Sequence, residues 1–380
     1  MTVVAGQLIA LSGVPEASLD SRFGPVAQAP ALFAHLAAEG CDKNLAFVIA
    51  HPAANFANHY LLRNLHNQGA ACLAMNTRYT GNDTHLQMEF SIQDIGAGVR
   101  FLREQGFRHV VLIGNSGGGS QMALYQSQAE RLTISSLPDG TPLKIDPASM
   151  PRADGMVLLC AHPGRAQVLT EWMDPSVVEE DDISSTDPSL DMYNPANGPV
   201  YDKEWLTRYR AAQVARNHAI SDMAMARLAE FAIDDPKRLP ISDMPLIVHR
   251  TGADPRFLDI SLDPNERPAQ NAAAARASNY AANSMGRSST LRSWLSQWSL
   301  KYSRADGPEC LKSIQAPVFI ARYGADSIVF PSHTQQWIAA AGGRAVVEVL
   351  PGATHFMRGQ DELQKRITRR VIEWARGTFV

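Results

Sequence analysis

Little in this chain is concentrated, and several classes of protein are excluded on that ground. Its 380 residues hold only four cysteines, Cys41, Cys72, Cys160 and Cys310, widely spaced and with no CxxC pair. That pattern argues against a disulfide scaffold or a cysteine-rich metal module and suits reduced packing residues. No segment approaches 18 consecutive apolar residues, and the opening Met1-Thr2-Val3-Val4-Ala5-Gly6-Gln7 has no basic stretch followed by a long apolar run. The expectation is therefore a soluble, cytoplasmic protein. Charge is nearly balanced, with 35 Lys and Arg against 38 Asp and Glu and a net charge of -3. Such a balance exerts no general pull on nucleic acid or anionic membrane and leaves a small-molecule partner as the expectation. A glycine-rich phosphate or dinucleotide fingerprint is missing, and so is any HxxEH-like or paired-carboxylate ligand set, so neither cofactor nor metal is expected. The oligomeric state stays open, and a homo-oligomer is compatible with all of this.

What the chain does have is an alternation of strand-like and helix-like segments. Val3 to Leu11 and Ala31 to Leu36 read as strands pairing antiparallel at a sheet edge. Asn44 to Ala50 is a short apolar strand, followed by a helix from Tyr60 to Gln68 that closes at Gly69, and by a strand from Ala70 to Met75. Ile92, Ile95, Val99 and Leu102 are spaced three to four apart and predict an amphipathic helix over Ile92 to Gln105, ending at Gly106. Val110 to Ile113 is the next buried strand, Gln121 to Glu130 a helix, and Gly155 to Ala161 another strand. This rhythm argues for a mostly parallel sheet with helices on both faces, an α/β fold.

From about Gly164 to Glu309 the rhythm changes. An acidic, disorder-leaning loop around Glu179-Glu180-Asp181-Asp182 precedes a long helix from about Glu204 to Ile233. Proline-punctuated segments and an alanine-rich helix over Asn271 to Ala282 follow. The core rhythm resumes with a strand at Val318 to Arg322, a helix at His333 to Ala341, a strand at Ala345 to Leu350 and a terminal helix at Gln360 to Arg376. The predicted division is a core of residues 1–163 and 311–380 interrupted by a largely helical cap of residues 164–310.

The chemistry centres on Gly114-Asn115-Ser116-Gly117-Gly118, between the strand and the helix that follow one another near residue 113. A G-x-S-x-G turn in that context is a nucleophile elbow, in which glycines flanking the serine let the backbone turn sharply and expose its hydroxyl. A serine alone is a poor nucleophile at neutral pH and needs a base, and the base needs a group to orient it. His355 follows the last strand, in a loop at the same carboxyl edge of a parallel sheet as the elbow. Two look-alike segments offer an acid, Gly252-Ala253-Asp254 and Gly324-Ala325-Asp326. Asp326 is favoured, because 29 residues before His355 leave room for one helix and one strand. Asp254 is followed by Pro255 and reads as a turn former. For an oxyanion hole, Gly117 follows the nucleophile, and the His51-Pro52-Ala53-Ala54 turn occupies the loop after the first parallel strand. Ala53 is the expected second donor, Ala54 the alternate, with His51 bracing the loop.

The order Ser116, Asp326, His355, the elbow after a strand and the His-Pro turn together resemble the α/β-hydrolase fold family, over about residues 1–163 and 311–380. Proline and alanines stand where that family usually has glycines after the histidine. A serine nucleophile departs from the branches that use aspartate. The resemblance implies a serine hydrolase that cleaves a carboxylic ester, a lactone or a thioester of medium size through an acyl-enzyme on Ser116. Acyl transfer, carbon-carbon bond hydrolysis or a non-catalytic ligand-binding relative are the alternatives. The cap is expected to set specificity, and Arg165, Trp172, Tyr193, Arg208, Trp294 and Trp298 could line the pocket, although core packing or surface placement suits each of them better. Its aromatic composition favours an uncharged or singly charged substrate.

Overall fold

The computed structural model describes residues 6–14, 30–233, 239 and 241–380. Its centre is an eight-stranded sheet built from β1 (Gln7–Ser12), β2 (Ala31–Ala37), β3 (Leu45–Ala50), β4 (Ala71–Met75), β5 (His109–Asn115), β6 (Gly155–Leu159), β9 (Val318–Tyr323) and β10 (Ala345–Leu350). The strand order is β1-β2-β4-β3-β5-β6-β9-β10. β1 pairs antiparallel with β2, and β2 antiparallel with β4, while every pairing from β4 to β10 is parallel. The antiparallel edge expected from the first forty residues is therefore present, although residues 3–5 of the first expected strand and most of the loop behind it lie outside the described residues.

The central strands are apolar on both faces because helices cover both. Ala46 and Val48 of β3 and Val110 and Leu112 of β5 face the core beneath α2 (Met88–Glu104) and α3 (Gly118–Glu130). Phe47, Ile49, Val111 and Ile113 face the opposite core beneath α1 (Tyr60–Asn67) and α10 (Asp361–Phe379). Alternate side chains of a strand point to opposite faces, so a strand buried on both sides reads as a continuous apolar run.

Between β6 and β9 the chain carries α4 (Arg165–Trp172), the 29-residue α5 (Lys203–Phe231), the ribbon of β7 (Pro245–Ile247) and β8 (Ser288–Thr290), α6 (Ala272–Asn279), the short α7 (Leu291–Ser293) and α8 (Gly307–Ser313). Asp202 caps α5 by accepting from the Trp205 amide at 2.8 Å. This segment has an apolar cluster of its own, around Leu169, Met173, Ile220, Leu228, Trp294 and Trp298. The acidic stretch expected to lean toward disorder is tied down: Arg216 of α5 reaches Glu180 at 2.6 Å, and Asp182 accepts from Ser184 at 2.8 Å. Arg216 is itself buried.

Candidate active site

β5 delivers Ser116 to the carboxyl edge of the sheet. The serine adopts φ +53°, a left-handed conformation that costs a non-glycine residue of order 1 kcal/mol or more and that turns its side chain out of the strand. Its amide still donates to Leu159 of β6 at 3.1 Å, and its carbonyl accepts from Gly119 at 3.1 Å, so the strained turn is pinned on both sides. The following glycines are required by close approach. A Cβ on Gly118 would sit 2.5 Å from the Ala50 carbonyl oxygen, and one on Gly119 2.5 Å from the Ala161 Cβ. α3 therefore begins at Gly118, three residues before the sequence pattern predicts.

His355 and Asp326 meet this serine from the loops after β10 and β9. Ser116 Oγ lies 3.0 Å from His355 Nε2, and His355 Nδ1 lies 2.8 Å from Asp326 Oδ2. A carboxylate can only accept, so Nδ1–H donates to Asp326, and the neutral ring is left with a lone pair on Nε2 facing the serine hydroxyl. Asp326 is fully buried, and its second oxygen accepts from the Ile328 and Val329 amides at 2.8 and 2.9 Å. The two loops are joined directly, Ala325 donating to the Ala353 carbonyl at 2.9 Å and Gly324 to that of Leu350 at 2.8 Å.

Asp254 takes the other role foreseen for it. It is buried, holds the turn at Arg256 by accepting from that amide at 3.0 Å, and pairs with Arg210 at 2.7 Å and Arg256 at 2.6 Å. The two guanidiniums hold its carboxyl below the usual range against the cost of burial.

Ala53 requires a correction. Its N–H donates to His51 Nδ1 at 3.1 Å, and that of Ala54 donates to the same nitrogen at 2.8 Å. Both expected donors are thus spent within their own turn, and Pro52 between them and His51 has no N–H to offer. Gly117, the other expected donor, is the N-cap of α3, at a helix start where first-turn amides have no acceptor within the helix.

A cavity of about 790 Å³ opens on the Ser116 hydroxyl. Its walls are His51, Asn55, Phe56, His59 and Tyr60 from the loop after β3 and the start of α1, and His355, Phe356, Arg358 and Gln364 from the loop after β10 and the start of α10. Of the described residues that line it, none comes from 164–310. The six conceivable lining residues lie elsewhere. Trp294 and Trp298 are core, and Arg165 is buried over the Trp298 ring and paired with Asp83. Tyr193 donates to the Gly252 carbonyl, Arg208 is exposed, and Trp172 lines a separate cavity of about 280 Å³ beside Ser327 and Ile328.

Among the described residues, one trio brings metal-ligand atoms within 4.8 Å of one another: Cys160, Asp326 and His355. Asp326 and His355 are already each other's partners, and burial pushes the Cys160 thiol well above its ordinary range. Cys160 is thus a protonated thiol packed beside that pair.

Sequence reasoning missed Asn265 and Glu266. Asn265 Nδ2 donates to the Asp326 carbonyl at 2.7 Å, while Glu266 accepts from the Gly352 amide at 2.5 Å and donates its own amide to Gly324 at 2.9 Å. Two polar residues in a proline-punctuated stretch carry no signal that they will reach loops 58 to 86 residues away.

A sheet of this order, with a serine on a strained strand-to-helix turn and a histidine and an aspartate from the last two strand loops, defines an α/β hydrolase. The family model described as "Alpha/beta hydrolase family" matches residues 47–363, and the chain belongs to that family. Among solved structures it resembles the DcsB complex with its substrate analogue at 10% identity and TM-score 0.52, covering 97% of this chain and 99% of that one. It is also similar to the esterase domain of a Rhodothermus marinus protein at 13% identity and TM-score 0.46, over 97% and 98% of the two chains. The monoacylglycerol lipase of Paleococcus ferrophilus matches at 13% identity and TM-score 0.46, over 90% and 97%. No curated protein sequence matches. Among the described residues, no helix is long and apolar enough to cross a membrane.

Proposed function

We propose that this α/β hydrolase is a serine esterase that cleaves a carboxylic ester, lactone or thioester through an acyl-enzyme on Ser116. The observation that carries the proposal is the hydrogen-bonded line from Ser116 Oγ through His355 to Asp326, at 3.0 and 2.8 Å. Ser116 Oγ attacks the carbonyl carbon while His355 Nε2 takes its proton. Asp326 holds the ring in the tautomer that can do so and stabilises the cation that forms. The proton passes to the leaving alcohol as the carbon–oxygen bond breaks. A water then gives a proton to the same nitrogen, attacks the acyl carbon, and releases the acid and the serine. The Gly117 N–H faces the oxyanion in both halves.

Water access favours hydrolysis over transfer to another acceptor. Ser116 is half-buried, and Phe356 beside it is 61% exposed. The acyl group is accommodated between the loop after β3 and the loop after β10, while residues 164–310 act as a cap that supports the acid and histidine loops. The four free cysteines suit a reducing cytoplasm.

Turnover of 4-nitrophenyl esters of graded acyl length, by the wild type and Ser116→Ala, tests the proposal. The variant should retain less than about a thousandth of kcat. Retention of more than a few per cent removes Ser116 from the chemistry.

A further inference from the structure

The turn after β3 spends its amides in an unusual way. In this family's architecture the second oxyanion donor is a backbone N–H of that turn, but here Pro52 has none and those of Ala53 and Ala54 both point at His51 Nδ1. The consequence falls on the imidazole. A nitrogen that accepts two N–H bonds carries no proton, so the neutral ring has its proton on Nε2, and Nε2–H is a donor. We infer that His51 Nε2–H is the second donor of the oxyanion hole, replacing the backbone amide that the turn has given up. This assignment rests on the acyl-enzyme reading of Ser116.

Position supports it. A Cβ built on Gly117 would lie 2.8 Å from His51 Nε2, so the ring nitrogen occupies the space in front of the very residue whose N–H is the first donor. A Cβ sits about 2.5 Å from its own amide nitrogen, which puts His51 Nε2 no more than about 5.3 Å from Gly117 N. One oxygen accepting two hydrogen bonds of about 2.9 Å each can bridge that span. His51 also lines the cavity into which Ser116 Oγ opens. Its turn is rigid: Thr77 Oγ1 donates to the Pro52 carbonyl at 2.7 Å and Gly81 N to that of Ala53 at 2.9 Å. A donor that is already oriented costs no reorganisation as charge develops.

Charge state supports it as well. Enclosure by protein and the neighbouring Arg165 guanidinium hold His51 well below the ordinary histidine range. It therefore remains a neutral donor that cannot compete with His355 as a base. His162 Nε2 approaches the same Gly117 position at 3.2 Å, but its Nδ1 has no partner to fix a tautomer, and it is not among the residues lining the Ser116 cavity.

The glycine at position 117 is explained by the same arrangement, because any side chain there would displace the imidazole.

Two substitutions separate a donor from a brace. In His51→Asn the short amide keeps an oxygen near the Nδ1 position for the Ala53 and Ala54 amides and removes the Nε2 donor. In His51→Gln the longer amide carries an N–H near the Nε2 position and loses the brace. The assignment predicts that His51→Asn lowers kcat by about 100-fold with KM within threefold, and that His51→Gln recovers about tenfold over Asn. An arylboronic acid, which forms a tetrahedral adduct on the serine, should weaken in parallel with kcat/KM, whereas the product carboxylate should bind unchanged. A merely structural histidine reverses the order, with Asn near wild type and Gln impaired, and that result overturns the assignment. If Asn does not fold, the boronic acid and carboxylate affinities of His51→Gln decide. Selective weakening of the boronic acid by about tenfold keeps the assignment, and equal weakening of both ligands, or of neither, overturns it. Turnover by Ser116→Ala would remove the acyl-enzyme reading itself, whereas an inactive Ser116→Ala beside a fully active His51→Asn removes only the role of His51.

Discussion

A serine hydroxyl becomes a nucleophile through what surrounds it, and four histidines surround this one in different states. His355 is held by Asp326 and free to take a proton, whereas His51, the half-buried His59 and the buried His162 are kept neutral. Burial lowers the last two to about 3. In the unfolded chain these rings titrate near 6.5, so below that pH the unfolded state binds protons that the folded state refuses. Their contribution is fully retained above pH 6.5 and falls as the pH drops toward 3, by roughly 2–3 kcal/mol for each ring at pH 4.5. The melting temperature should accordingly decline steeply between pH 6.5 and 4, and His162→Gln should make that decline shallower. An identical pH slope in the variant would show that His162 is not held neutral. Tautomers are invisible in a sequence, which explains why His51 reads there as a brace and Ala53 as a donor, when the Nδ1 bonds make the brace and the donor assignment mutually exclusive.

The elements were legible wherever apolar periodicity was strong. β10 spans Ala345–Leu350 as expected, and the two edge strands, the helix at Tyr60 and the terminal helix fall within a few residues of their predicted ends. The misplaced start of α3 has a physical cause. Three glycines carry poor helix propensity, so the pattern delays the helix to Gln121, but the close approach of Gly118 to β3 and of Gly119 to the end of β6 draws the helix to the elbow itself. Gly118→Ala should be destabilising by about 1–3 kcal/mol, because its Cβ meets a backbone carbonyl that cannot rotate aside. A melting temperature unchanged within a degree would contradict that packing. The acid was legible for a reason of the same kind: the spacing from Asp326 to His355 fits one α9 (Pro331–Ala341) and one β10, which brings both loops to one edge.

At the scale of the whole molecule, the chain between β6 and β9 touches the loops that hold Asp326 and His355, by way of Asn265 and Glu266. These contacts join residues far apart in sequence, and no local pattern reveals them. The double variant Asn265→Ala/Glu266→Ala should keep KM within a few-fold and lower kcat by roughly tenfold, since small displacements of an aligned relay are costly. Wild-type kcat in that variant would mean that the segment covers the core without positioning its acid and base. The cavity walls lead in the same direction. They come from the core loops at Asn55 to Tyr60 and His355 to Gln364, so selectivity for the acyl group should follow Phe56 and Phe356 rather than the tryptophans of the inserted segment. The central claim is that Ser116 is the atom that carries the acyl group, and covalent labelling tests it most directly. After reaction with a fluorophosphonate, peptide mass analysis should find a single adduct, on Ser116, formed in proportion to the loss of esterase activity. Inactivation with Ser116 unmodified would contradict the account.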